Sequence, residues 1–308
     1  MKSRTVVAAS LLLAGCVLHR GPAGPEPARG PAADSLLRFD QSRGELVATK
    51  GPHDALAELL HPDVVYLRAG VPAVYGRAAV SDMLAAPAPT IPSGIAWEPL
   101  GGAVSYDLLA GYTFGVTARP SAGSPVHFER YIAMWRRTRG APWQLAAYVE
   151  VEAPPAVEAS VPQSALTPPA TSMSEKLRAT TAKVRAADSL FSDLSDRMGI
   201  GYAFSNTIAP LGVLFASPRL VVGPDATREL YAARGNGTAL TWHPVFAWVT
   251  TSEDLGFTVG EYIATLRGPS GAAVQRFGKY LTVWQRQGDG TWKFVADGGN
   301  PTPKAADR

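Results

Sequence analysis

One tyrosine and two tryptophans recur with the same spacing in both halves of this chain, which constrains each half to the same fold. Tyr131-Ile132-Ala133-Met134-Trp135-Arg136-Arg137 is followed by Trp143, eight residues past Trp135. Tyr280-Leu281-Thr282-Val283-Trp284-Gln285-Arg286 is followed by Trp292, again eight past Trp284. Other stretches register against this pair. Leu67 to Gly76 aligns without gaps on Leu214 to Gly223, Trp97-Glu98-Pro99 on Trp242-His243-Pro244, and Gly111-Tyr112-Thr113-Phe114-Gly115 on Gly256-Phe257-Thr258-Val259-Gly260. Upstream, Ala32-Ala33-Asp34-Ser35-Leu36 matches Ala186-Ala187-Asp188-Ser189-Leu190. The offset drifts from 154 to 147, 145 and 149, so the copies differ by short indels of the kind loops tolerate. A duplicated domain is the economical account.

The start of the chain is of another kind. Lys2 and Arg4 precede an apolar run from Val6 to Leu13, too short to stay in a bilayer as a helix, and then Leu13-Ala14-Gly15-Cys16. Residues 1–15 read as an export signal. Leu-Ala-Gly-Cys resembles the lipobox of bacterial lipoproteins, which implies cleavage before Cys16 and lipidation of its thiol. Cys16 is the only cysteine, so no disulfide or thiolate metal site is available to the body. Residues 16–30 are a Gly- and Pro-rich tether, and 152–172, with Pro154, Pro155, Pro162, Pro168 and Pro169, form a linker. These bound a first domain at 31–151 and a second at 173–300, with 301–308 as a tail. Val17 after Cys16 points to the outer membrane, facing the periplasm, if the cell has one. Without Lys2 and Arg4, 27 basic residues face 26 acidic ones, which argues against nucleic acid or an anionic membrane surface as a partner.

Within each copy, helices come first and strands last. Leu177, Val184, Ala187, Leu190, Phe191, Leu194 and Met198 recur at helical spacing, predicting a helix of about 25 residues from near Ser174. A shorter helical stretch, two strands ending at Gly76 or Gly223, a short helix and four strands follow, the last at Trp143 to Val151 in the first copy. The class is α+β. This order, the Gly-Tyr-Thr-x-Gly strand and the Tyr-x-x-x-Trp hairpin ending in a second Trp resemble the nuclear transport factor 2-like superfamily, in its bacterial branch related to SnoaL-like cyclases and ketosteroid isomerases. The resemblance implies two tandem cone-shaped domains, each a long helix packed in a curved antiparallel sheet. It also implies pairing through the sheets, as a pseudo-dimer within the chain or a homodimer.

Strand alternation sets Tyr131, Ala133 and Trp135 on one face and Ile132, Met134 and Arg136 on the other, with Tyr280, Thr282 and Trp284 as the matching set. Alternation alone leaves open which face lines the cone. Where the first copy has Tyr66, Arg68 and Tyr75, the gap-free alignment gives the second Val213, Phe215 and Val222, which predicts a polar first cone and an apolar second one. The candidate ligand contacts are therefore Tyr66, Arg68, Tyr75, Tyr131, Trp135, Tyr280 and Trp284, for a small apolar or amphipathic ligand. The isomerase resemblance implies a rival, an enzyme with Asp63 as general base beside Tyr66. A third reading is an assembly module with cones filled by their own side chains. Asp297 and Glu129-Arg130 read as solvated charges at strand ends. The histidines lack metal-ligand spacing, and neither a phosphate loop nor a nucleophile elbow is present, so no cofactor or metal is expected.

Overall fold

The computed structural model describes residues 30–86, 96–121, 124–151, 175–216, 219–234, 237–267 and 272–302. The expected signal, Cys16, the tether to residue 29 and the whole of the linker at 152–172 lie outside them. Helix α1 spans Pro31–Lys50, with Pro31 presetting the first turn and Asp34 and Lys50 complementing the helix dipole. It stops at Gly51, whose φ of 87° a side chain would resist. The second copy repeats this ending: α4 (Glu175–Met198) stops at Gly199, also at φ 87°.

After α1 come α2 (Pro52–Leu56), β1 (Leu60–Leu67), β2 (Val74–Tyr75), α3 (Arg77–Ala85), β3 (Ala96–Val104), β4 (Ala110–Ser121), β5 (Ser124–Arg136) and β6 (Gln144–Val151). After α4 come α5 (Ile200–Thr207), β7 (Ile208–Ala216), β8 (Arg219–Val222), α6 (Gly223–Arg234), β9 (Thr238–Val249), β10 (Leu255–Arg267), β11 (Ala273–Arg286) and β12 (Trp292–Thr302). They make two six-stranded sheets of the same order, β2-β1-β6-β5-β4-β3 and β8-β7-β12-β11-β10-β9. Neighbours pair antiparallel except β1 with β6 and β7 with β12. The fold is α+β, with two tandem helix-on-sheet domains.

Each sheet has two covered faces, and the alternation within β5 and β11 divides them. Tyr131, Ala133 and Trp135 turn toward α1 and share a core with Leu36, Val47, Leu56 and Leu60. Ile132 and Met134 turn the other way and share a core with Val213, Phe215, Phe257, Leu281 and Val283. The two sheets thus pack face to face within one chain, and the tyrosine–tryptophan face lines the cone in both halves. Polar contacts fix the seam. Asn300 Nδ2 donates to the carbonyls of Leu67 (2.8 Å) and Glu150 (2.7 Å), and Lys279 Nζ donates to Asn300 Oδ1 (2.6 Å). The β3–β4 and β9–β10 turns clasp each other: the Tyr106 amide donates to Asp254 Oδ2, and the Ser252 amide and Thr251 hydroxyl donate to Asp107 Oδ2.

Two alignments shift once the copies are compared in space. The Gly51/Gly199 helix ends and the Tyr131/Tyr280 hydrogen bonds set Asp40, not Asp34, opposite Asp188. In β1, Tyr66 pairs with Tyr148, whereas in β7 it is Leu214 that pairs with Asp297, the counterpart of Tyr148. Tyr66 therefore matches Leu214, and Val213 and Phe215 belong to the seam. A one-residue slip moves a whole strand's side chains to the opposite face. The helix stripe differs too. Leu190 and Met198 are exposed, and Asp188, Ser192 and Ser195 are buried in their stead.

Candidate functional site

The first cone is built around a buried acid. Asp40, from the middle of α1, is fully buried and accepts a 2.6 Å hydrogen bond from the Tyr131 hydroxyl. Burial raises its pKa to about 6, with the bond from Tyr131 partly opposing the rise. The same burial, together with the adjacent Asp40 charge, holds the Tyr131 phenol well above its ordinary value. Gly44, one turn on, lets the Trp97 ring lie directly on the helix backbone, since a Cβ there would fall 2.3 Å from the indole. Beneath them the Trp135 indole N–H donates to Thr113 Oγ1 at 2.9 Å.

The second cone repeats this frame. Tyr280 donates to Asp188 Oδ2 (3.0 Å), Trp242 Nε1 to Asp188 Oδ1 (2.6 Å) and Trp284 Nε1 to Thr258 Oγ1 (2.9 Å). The first copy closes the frame less completely. Asp40 Oδ1 and Trp97 Nε1 are both buried and fall short of a hydrogen bond of normal geometry, although Trp97 is close enough to oppose the rise in the Asp40 pKa. Such groups are rare, because each costs about 1–3 kcal/mol of lost hydration.

Beside this frame lies a narrow pocket. Its walls are Tyr66, Trp97 and Tyr148, its polar rim is Arg68, Thr117 and Glu150, and Val47, Pro52, Leu56 and Leu84 close it. Tyr66 and Tyr148 stack at 4.7 Å, Trp97 lies 5.8 Å from Tyr148, and the Tyr66 hydroxyl reaches Glu150 Oε1 at 3.4 Å. The cavity measures about 30 Å³, enough for a water molecule or two. Pro52 and Leu84 also border a wider surface groove of about 340 Å³ with Lys50, His53, Asp54, Ala85 and Ala86. Arg68 is half-buried and makes no hydrogen bond or ion pair among the described residues.

Of the residues singled out from sequence, the pocket brings together Tyr66 and Arg68. Tyr131, Trp135, Tyr280 and Trp284 face the cones but are packed, the tryptophans at 1% and 0% exposure. Tyr75 packs against the core between the sheets instead, where burial, aided by the charge of Glu261, raises its pKa to about 12. Asp63 does not line the pocket. Its backbone N–H donates to His61 Nδ1 at 3.1 Å, and its carboxylate stands beside Arg136, whose guanidinium lies over Trp248 of the other half.

The expected contrast of a polar and an apolar cone is corrected at Asp297. It accepts from Thr282 Oγ1 (2.6 Å) inside the second cone, and burial, with the Asp188 charge adding to it, raises its pKa to about 7. Around it the space is filled by Phe191, Phe204, Trp242, Trp284 and Phe294. Glu129, at 1% exposure, is likewise no solvated strand end. Sequence reasoning also missed Asp40, Trp97, Thr117, Tyr148 and Glu150. The available signal was Gly44 within an otherwise ordinary helix, four residues after an acid that recurs in the second copy.

No family model matches the chain, and no curated protein matches it. Solved structures do. A ketosteroid isomerase-like protein from Erwinia carotovora atroseptica is 20% identical over 42% of this chain and 98% of its own, with a TM-score of 0.36. An NTF2-like protein with a cystatin-like fold from Novosphingobium aromaticivorans is 18% identical over 42% of this chain and 87% of its own (TM-score 0.35). A nuclear transport factor 2 (NTF2-like) superfamily protein from Salmonella enterica serovar Typhimurium is 12% identical over 42% and 95% (TM-score 0.35).

Proposed function

We propose that this chain is an exported, lipid-anchored binding protein whose first domain holds a small amphipathic anion. The ligand's apolar or aromatic body would lie against Tyr66, Trp97 and Tyr148, with its charged end at Arg68. The observation that carries this reading is Arg68, a guanidinium without a partner among the described residues, at the rim of a pocket walled by three aromatic rings. Guanidinium groups bind carboxylates and phosphates through paired N–H donors, and the flat rings offer area at little entropic cost. A ligand larger than water needs more room than about 30 Å³, and the shared wall of Pro52 and Leu84 is where pocket and groove would join.

Titration of the purified protein with a panel of aromatic and short aliphatic carboxylates, followed by calorimetry and by quenching of tryptophan fluorescence, tests the site. Losing a charge-assisted pair costs about 1.5–3 kcal/mol, so Arg68→Gln should weaken binding about 10- to 100-fold. No saturable binding by any acid, or equal binding by the variant, would remove the basis for the reading. The anchor is tested separately by palmitate labelling in the host, which Cys16→Ser should abolish.

A further inference from the structure

His53 and Asp54 line the outer groove of the first domain and, with Ser81 beside His53, make a set of groups that the pocket does not use. His53 and Asp54 come from α2 and Ser81 from α3, which packs beside it. Asp54 Oδ1 lies 2.9 Å from His53 Nδ1, and Ser81 Oγ lies 3.4 Å from His53 Nε2. A proton on Nδ1, donated to the carboxylate, leaves Nε2 as an acceptor facing the serine hydroxyl. This is the relation of nucleophile, base and orienting acid, with the serine–histidine contact at the looser end usual before substrate binds. The relay borders the groove of about 340 Å³, to which His53, Asp54 and the ammonium-bearing Lys50 belong. The fold does not require it. Aligned on Gly51 and Gly199, the second copy has Gly201 and Tyr202 in place of His53 and Asp54; aligned on Gly76 and Gly223, it has Arg228 in place of Ser81.

We infer that Ser81, His53 and Asp54 form an esterase-type site that cleaves small acyl esters. Ser81 Oγ attacks the acyl carbonyl carbon while its proton passes to His53 Nε2. The bond from that carbon to the alkoxy oxygen breaks, and the leaving alcohol takes the proton from His53. Water then attacks the acyl-serine, giving one proton to His53 and from there to Ser81, and the acid departs. Asp54 holds the imidazole in the required tautomer. No group of the relay lines the Arg68 pocket, although the groove it borders shares Pro52 and Leu84 with that pocket.

The test uses the purified full chain with p-nitrophenyl acetate and p-nitrophenyl butyrate as substrates and a fluorophosphonate probe mapped by peptide mass spectrometry. The expected result is turnover with covalent labelling at Ser81. Ser81→Ala should lose both, and His53→Gln should lower the rate about 100-fold or more. Ser42→Ala, on α1, should keep both. His53 is 41% exposed at its side chain, so the substitutions should leave the circular dichroism spectrum and the urea midpoint unchanged. Unlabelled Ser81 in folded protein, or hydrolysis that persists in Ser81→Ala, would overturn the assignment.

Discussion

Asp40 should make the protein less stable as pH rises, opposite to most carboxylates, and replacing it by Asn should remove that response. Asp40 has an ordinary pKa of 3.8 in the unfolded chain and about 6 in the fold. The folded state therefore binds the proton more tightly. The stability it contributes is complete below about pH 4 and is lost as pH rises through 6. Two pK units correspond to about 3 kcal/mol, the amount by which the ionised carboxylate is disfavoured in the fold at pH 8. Asparagine still accepts from the Tyr131 hydroxyl but cannot ionise. Its amide N–H₂ at the unpaired Oδ1 position carries a desolvation cost of its own, which does not depend on pH. The informative quantity is thus the change in the wild-type-to-variant gap. Urea unfolding of both proteins at pH 4.5, 6 and 8 should show the variant gaining on the wild type by about 2 kcal/mol across that range, the rest of the shift lying below pH 4.5. A gap that stays flat, or that moves against the variant as pH rises, would refute the reasoning. Asp188, in the same frame with a pKa of about 6, should behave alike.

The remaining predictions concern the frame and the seam. Thr113→Val removes the acceptor of the Trp135 indole N–H, which is buried at 1% exposure, and should cost about 1–3 kcal/mol in urea unfolding. Asp107 accepts from the Ser105 and Thr251 hydroxyls and the Leu109 and Ser252 amides, which hold its pKa at about 2 against the opposing effect of burial. The stability it contributes is present above pH 3.8 and lost as pH falls through 2. Asp107→Asn should therefore lower the melting temperature at pH 7 and close the gap to wild type in that acid window. Gly298 faces the seam, where a Cβ would stand 2.8 Å from Val151, 3.2 Å from Phe215 and 3.4 Å from Ile132. Gly298→Val should cost about 1–3 kcal/mol by overpacking the two sheets, read as a lower urea midpoint.

Much of the fold was legible because its signals are local. The Tyr–Trp repeat, the period of the strands and the predicted helix near Ser174, observed from Glu175, all follow from short-range spacing. What misled was register. The apolar spacing in α4 included Leu190 and Met198, but the face against the sheet sets polar groups beside Val184 and Phe191, since Asp188 accepts from Trp242 and Tyr280 and Ser192 Oγ accepts the Trp242 amide. A hydrophobic period has no means of marking a helix seam made of Asp and Ser. In β1 the copies differ by one residue in the turn before the second strand, so the gap-free match placed Val213 opposite Tyr66 and inverted the faces. Tyr66 and Arg68 were found because they differ from their apolar counterparts under either register. Asp40, Tyr148 and Glu150 were not found, because only the folded sheet brings β6 beside β1 and sets α1 across them.

The central claim is that the first domain holds an amphipathic anion at Arg68. It is tested most directly by native mass spectrometry of the protein purified from its own host, wild type beside Arg68→Gln. The account predicts a stoichiometric small-molecule adduct on the wild type, acidic when released and identified, and its loss or strong depletion on the variant. A bare mass for both proteins, or an adduct retained equally by Arg68→Gln, would contradict it.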